Sequence, residues 1–268
     1  MRSLLLALTL FFSGALHATE GFDHTHTQWT ALLQAHVQWN AQGTASQVDY
    51  PGFQADQPLL QGYLDQLSAV TEAQYRQWTT TQQLAFLINA YNAFTVQLIL
   101  EHYPLESIKE IGGLFSNAWQ QAFIPLLGQT LTLDDIEHGM IRQPGVFDDP
   151  RIHFAVNCAS IGCPALRDEA FVASRLDAQL EDSQQRFLGD RSRNRYDPKR
   201  KRFLVSKIFK WYGKDFDQRW GSLEGYLQQH ASLLANPAEH DRARTTDEVD
   251  FAFYDWNLNQ RQPGNKQQ

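Results

Sequence analysis

The stretch TTQQLAFLINAYNAFTVQLILEH, Thr80–His102, decides the fold. Its apolar residues fall on nearly every face of a helix with 3.6 residues per turn, so the helix must be buried on most sides. Tyr103-Pro104 ends it, because proline cannot continue a helix. Asn89 and Asn92 flank Tyr91 inside this run. Asparagine is a poor helix former, since its amide competes for backbone hydrogen bonds, and two on a buried helix need partners. They read as a polar clamp that ties loops to the central helix and scaffolds a site. Asn89, Tyr91 and Asn92, with Asn157 further on, are the candidate substrate contacts.

Outward from this helix the pattern changes. Trp29 to Trp39 has helical spacing at Leu32, Leu33, His36 and Val37, Val48-Asp-Tyr-Pro-Gly52 breaks it as a turn, and Leu59 to Leu67 resumes it. Downstream, Gly128 to Leu133 alternates like a strand, and Asp134 to Arg142 reads as a short helix with Thr132 and Asp135 in a capping pattern. Arg151 to Val156 reads as a buried strand that ends at Cys158, and Ala170 to Leu188 as an amphipathic helix. Phe203 to Val205 and Val249 to Tyr254 read as strands around helical Lys207–Tyr212 and Ser222–His230. The expected class is α+β, a helix-rich N-terminal half packed on a small mixed or antiparallel sheet, in one domain over residues 19–260.

Composition narrows the function. The 268 residues are 43% hydrophobic with 7 Trp, 9 Tyr and 17 Phe, enough for a packed core. The formal net charge is −7, and the basic run Lys199–Arg202 follows Asp197-Pro198 as a solvated turn. That balance argues against nucleic acid as a partner. Arg2, the apolar stretch Leu4 to Phe12 and small residues up to Ala18 predict a signal peptide over residues 1–18, and so a periplasmic or secreted protein. No cysteine follows the apolar stretch to carry a lipid anchor, and no later run of ~18 consecutive apolar residues predicts an integral membrane span. Residues 261–268 read as a disordered tail.

The chemistry concentrates in His153-Phe-Ala-Val-Asn-Cys158-Ala-Ser-Ile-Gly-Cys163-Pro164, which holds both cysteines. Three readings stay open: a Cys158–Cys163 disulfide, natural for an even cysteine count in an oxidising compartment; a nucleophilic cysteine with a nearby base; and thiol redox chemistry, although the spacing is not Cys-x-x-Cys. The His and Cys spacing matches no common zinc pattern, so no metal and no cofactor is expected. If Arg151–Val156 is a strand, alternation turns His153 away from Cys158 and leaves His138 as the better base. Asp134, one turn earlier, could orient its imidazole. Glu137 is a second candidate orienter, or else points to Arg142 or Arg151.

Taken together, Asn89-Ala-Tyr-Asn92-Ala, Ile136-Glu-His138, Arg151 through Pro164, Lys207-Ile-Phe-Lys-Trp-Tyr-Gly-Lys-Asp215-Phe and Tyr254-Asp-Trp-Asn257 resemble the domain of unknown function 547 over roughly residues 45 to 260. The resemblance emphasises Asn89, Tyr91, Asn92, Glu137, His138, Cys158 and Pro164, and implies no established activity. Plant members resemble this chain at His138 and Cys158 but usually have serine at the Cys163 position, which sharpens a Cys158–His138 pair as the shared chemistry. A histidine that precedes its cysteine is similar, by analogy alone, to a distantly papain-like, permuted arrangement. The expectation is therefore a cysteine-dependent hydrolase or acyl transferase of the cell envelope with Cys158, His138 and Glu137 as catalytic residues. Its alternative is a non-enzymatic periplasmic binding or envelope-assembly protein with a structural disulfide. In either case the partner is a peptide or small molecule.

Overall fold

A computed structural model describes residues 21–113 and 116–261. The expected signal peptide and nearly all of the expected tail lie outside them. Helices α1 (Thr27–His36), α2 (Tyr50–Ala55), α3 (Gln57–Ser68) and α4 (Glu72–Tyr75) precede the central helix α5, which runs Thr80–His102 as the spacing predicts. Thr79 and Gln82 form a reciprocal capping box at its start, each side chain satisfying the other's backbone N–H. Every residue from Leu84 to Leu100 is buried. By length and composition α5 could cross a membrane, yet 94% of its apolar window is packed inside the protein.

The turn expected at Val48–Gly52 is instead the entry to α2. Asp49 caps it by accepting from Gly52 N–H at 3.1 Å, and Pro51 sits in the first turn, where its missing N–H costs nothing. Short antiparallel hairpins pair β1 (Val37–Trp39) with β2 (Ser46–Val48), β3 (Gly112–Gly113) with β4 (Ser116–Asn117), and β5 (Ile124–Leu126) with β6 (Gln129–Leu131). After α6 (Leu176–Gly189), β7 (Arg195–Asp197) and β8 (Arg202–Val205) pair antiparallel, and β9 (Val249–Phe251) adds parallel to β8. Helices α7 (Lys207–Trp220) and α8 (Leu223–Gln229) lie between β8 and β9 in sequence. The fold is α+β, with a small mixed sheet in its second half.

Two hydrophobic clusters result. One surrounds α5 and takes in α1 to α3. The other gathers Phe154, Phe187, Phe203, Phe209, Phe216 and Tyr226, and Trp256 packs against both. Asn89 and Asn92 act as the clamp between α5 and the loops. Asn89 donates to Phe171 C=O at 2.7 Å and accepts from Phe171 N–H at 3.0 Å. Asn92 donates to Ala155 C=O at 2.9 Å and accepts from Asn157 N–H at 2.8 Å. Each amide thus satisfies a buried donor and a buried acceptor that would otherwise cost about 1–3 kcal/mol apiece.

Candidate active site

The expected strand Arg151–Val156 is a 3-10 helical turn, Pro150–Phe154, entered through Pro150 and capped by Asp149, whose carboxylate accepts from Arg151 N–H at 3.0 Å. A 3-10 turn does not alternate faces, so nothing turns His153 away from the cysteines. His153 lines the same cleft as Cys158 and His138. The expected short helix before it begins with the predicted reciprocal bonds between Thr132 and Asp135. It is wound as a π-helix over Asp135–Ile141, closing with Arg142 N–H on the Glu137 carbonyl five residues back at 2.9 Å. Such wide turns are rare and recur at functional sites.

The cleft encloses about 390 Å³. One wall is the π-helix with Asp134, Glu137 and His138; another is the cysteine loop with Cys158, Cys163 and Pro164; Tyr91 reaches it from α5. The rest is largely aromatic: Trp119, Trp211, Tyr212, Tyr254 and Trp256. Within this wall Trp211, Tyr254 and Trp256 meet ring to ring, at centroid separations of 4.6 to 5.7 Å.

The two cysteines form a disulfide. Cys163 is buried and Cys158 half-buried. Tyr254 Oη lies 3.2 Å from each sulfur, and Cys158 N–H donates to Cys163 Sγ at 3.0 Å. The loop between them is held to the segment 254–259: Ile161 N–H donates to Asn257 C=O and Gly162 N–H to Asp255 C=O, both at 2.8 Å. Gly162 has to be glycine because a Cβ there would lie 2.9 Å from the Tyr254 ring. Ala159 adopts a left-handed φ of 59°, a strained choice for a residue with a side chain. Asn157 donates to Pro164 C=O at 2.7 Å and accepts from Ala159 N–H at 2.9 Å. Asn157 and Asn92 therefore brace the loop, Asn89 ties α5 to Phe171, and none of the three lines the cleft, whereas Tyr91 does.

The polar wall is one connected network. Arg142 donates to His138 Nδ1 at 2.8 Å. A guanidinium only donates, so Nδ1 is the acceptor and the neutral ring carries its proton on Nε2, which faces Asp134 Oδ1 at 3.7 Å. In this arrangement His138 has no lone pair free to take a proton. Burial, with Glu137 and Asp135 nearby, raises the Asp134 carboxyl above its ordinary range, although His138 draws it back. Glu137 bonds to neither arginine: it accepts from Tyr212 Oη at 2.8 Å, while Arg151 pairs with Asp149 and Asp177. Tyr212 gets there through a non-helical kink inside α7, at φ −116° and ψ 15°. Its ring stacks on His153 at 4.0 Å and carries the Arg142 guanidinium at 4.7 Å. Burial and the neighbouring Glu137 raise the Tyr212 phenol, so it stays a donor.

Asp215, also on α7, joins the two histidine-bearing segments. It accepts from His153 Nε2 and from Arg142 Nε, each at 2.8 Å. Burial alone would raise the Asp215 carboxyl, but these two donors outweigh it and hold it well below the usual carboxylate range. Complete burial pushes the His153 imidazole down, against the pull of Asp215. From sequence Arg142 enters only as a possible partner of Glu137, and Trp119, Trp211, Tyr212 and Asp215 are given no role. The last three stand in the Lys207–Phe216 segment that carried part of the family resemblance, which was the one signal available.

Residues 75–188 match the family model described as "Protein of unknown function, DUF547". No curated protein and no solved structure matches the chain. The match spans α5, the π-helix and the cysteine loop, and stops before α7 and the Tyr254–Asn257 segment that complete the cleft. The chain is a DUF547 domain-containing protein.

Proposed function

We propose that this is an exported binding protein that holds a small molecule or peptide end in the cleft between α5, α7 and the cysteine loop. The observation that carries the reading is the bonded pair Cys158–Cys163 in the wall of a cleft otherwise made largely of ring faces and carboxylates. A disulfide suits the periplasm or the extracellular space, the compartments that the N-terminal sequence predicts. Bonded, Cys158 supplies no thiolate, and it serves instead to fix the strained loop that frames the site. The acidic charge balance of the chain continues to argue against nucleic acid as the partner.

A second reading has its own support. Cys158 is the more exposed sulfur and shares the cleft with His138 and Glu137. After two-electron reduction of the disulfide by an external dithiol, its thiolate would add to an acyl carbon and expel the protonated amine or alcohol. The thioester left behind would be resolved by water or a second acceptor, as in a cysteine-dependent hydrolase or acyl transferase. His138 would first have to release Nδ1 from Arg142 in order to act as base.

One experiment separates the two. Iodoacetamide labelling of protein isolated without reductant, read by mass spectrometry across pH, should find no free thiol under the binding reading. A Cys158 adduct forming with an apparent pKa well below ~8.5, and moving up in His138→Ala, selects the enzyme instead.

A further inference from the structure

If the cleft is a binding site, as proposed, its lining also narrows the class of ligand. Glu137 is 5% exposed and has no arginine or lysine partner among the described residues; its nearest basic nitrogen is His138 Nδ1, at 4.0 Å, on a neutral ring. Asp134 is in the same position, its one basic neighbour being His138 among the described residues. Among those residues no lysine or arginine lines the cleft, since Arg142 is committed to Asp215 and His138. Two carboxylates thus face the cavity without an arginine or lysine ion-pair partner among the described residues. Arg142, held by Asp215 and His138, acts on Glu137 only from a distance.

An independent observation points the same way. His153 is 2% exposed and lines the cleft, and its Nε2 donates to Asp215, which makes Nδ1 an acceptor. That nitrogen is buried and has no hydrogen-bond partner among the described residues. A buried acceptor without a donor is costly, and a ligand that brings N–H groups relieves the cost. The remaining walls are largely indole and phenol rings, whose faces carry negative quadrupoles that attract cations. Trp256 already does this at its rim, where the Lys109 ammonium sits 5.2 Å from the ring centroid. Acceptors, unpaired carboxylates and ring faces converge on one ligand chemistry.

We infer that the cleft selects a protonated amine carried on an apolar stem. The ammonium is taken by Glu137 and Asp134, and the stem lies against Trp211, Tyr254 and Trp256.

Benzylamine, benzyl alcohol and benzoate share one ring and differ in charge, so they test the inference on the full chain with its disulfide intact. Titration at pH 7, followed by tryptophan fluorescence, should show benzylamine binding at least tenfold tighter than benzyl alcohol and benzoate weakest. Glu137→Gln should abolish most of that preference, bringing the ratio of benzylamine to benzyl alcohol affinity below about threefold. Where Glu137→Gln fails to fold, Asp134→Asn, on a partly exposed side chain, should reduce the preference at least threefold. Equal affinities, or a preference for benzoate, overturn the selectivity for amines and leave the cleft as a binding site. Failure of all three probes to bind overturns the binding reading and this inference with it.

Discussion

The two hydrophobic clusters that meet at the cleft are held together by different means. Around α5 the packing is mostly aliphatic, and polar groups enter as neutral amides that bind backbone. Around α7 the packing is ring on ring, with Phe216 centroids 5.1 Å from Phe209 and 4.8 Å from Tyr226, and the polar groups are charged: Asp215 between His153 and Arg142. The amide clamps of the first are themselves insensitive to protonation. The second places the charged network beside the cleft, where it orients the side chains that line it. Each half does contain one buried neutral histidine, His26 in the first and His153 in the second.

The sharpest way to break the contrast is to hollow the aromatic half. Phe216→Ala removes a ring with no exposed surface and should cost about 3–5 kcal/mol. Urea unfolding should show this as a lower midpoint in a single transition, because Trp256 couples the two clusters. Two separate transitions would show instead that the halves unfold independently.

In the aliphatic half, Asn92→Ala strands the Ala155 carbonyl and the Asn157 N–H and should cost about 2–4 kcal/mol by the same measurement. A loss under about 1 kcal/mol would mean that the clamp merely accompanies the packing. Acidification acts on both halves. Burial pushes His26 down to about 4 from 6.5, outweighing the pull of Asp23, and burial also lowers His153. Both groups must therefore be neutral in the folded state. Their contribution is complete above pH 6.5 and is lost as pH falls toward their folded values, up to about 3 kcal/mol for His26. Urea midpoints at pH 7 and pH 5 should fall in that order, and a flat profile would contradict the burial of these rings. Asp215, with its folded pKa also lowered, adds a loss of the same sign at more acidic pH.

The smallest effect is expected at the disulfide. Cys163→Ser opens a short loop and should cost roughly 2 kcal/mol by the chain-entropy relation. Hydrogen exchange should rise at Ile161 and Gly162, whose amides tie the loop to segment 254–259. Unchanged exchange there would show that those backbone bonds, and not the disulfide, set the loop.

How much of this was legible differs between the halves for a physical reason. The bounds of α5 followed from local signals, unbroken helical spacing and a terminating proline. Arg151–Val156 misled because six residues of mixed polarity fit a strand and a 3-10 turn equally well, and only Pro150 favoured the turn. At the site, Cys158, His138, Glu137 and Tyr91 were found because each lies in a compact motif. Tyr212 and Asp215 were not, because their bonds to Glu137 and His153 span 75 and 62 residues, and a helix face alone carries no trace of what it will meet.

Segment 254–261 is the feature with the widest reach. Asn259 gives its carbonyl to Val48 N–H and its own N–H to the Ala159 carbonyl, while Leu258 N–H donates to the Glu106 carbonyl. One strip thereby fastens β2, the loop after α5 and the cysteine loop, and contributes Tyr254 and Trp256 to the cleft. Synthesis runs from the N-terminus, so everything this strip fastens is made before the strip itself. A nascent chain thus carries its cleft unfinished until the strip emerges, and the cleft walls made earlier close only when Tyr254 and Trp256 arrive.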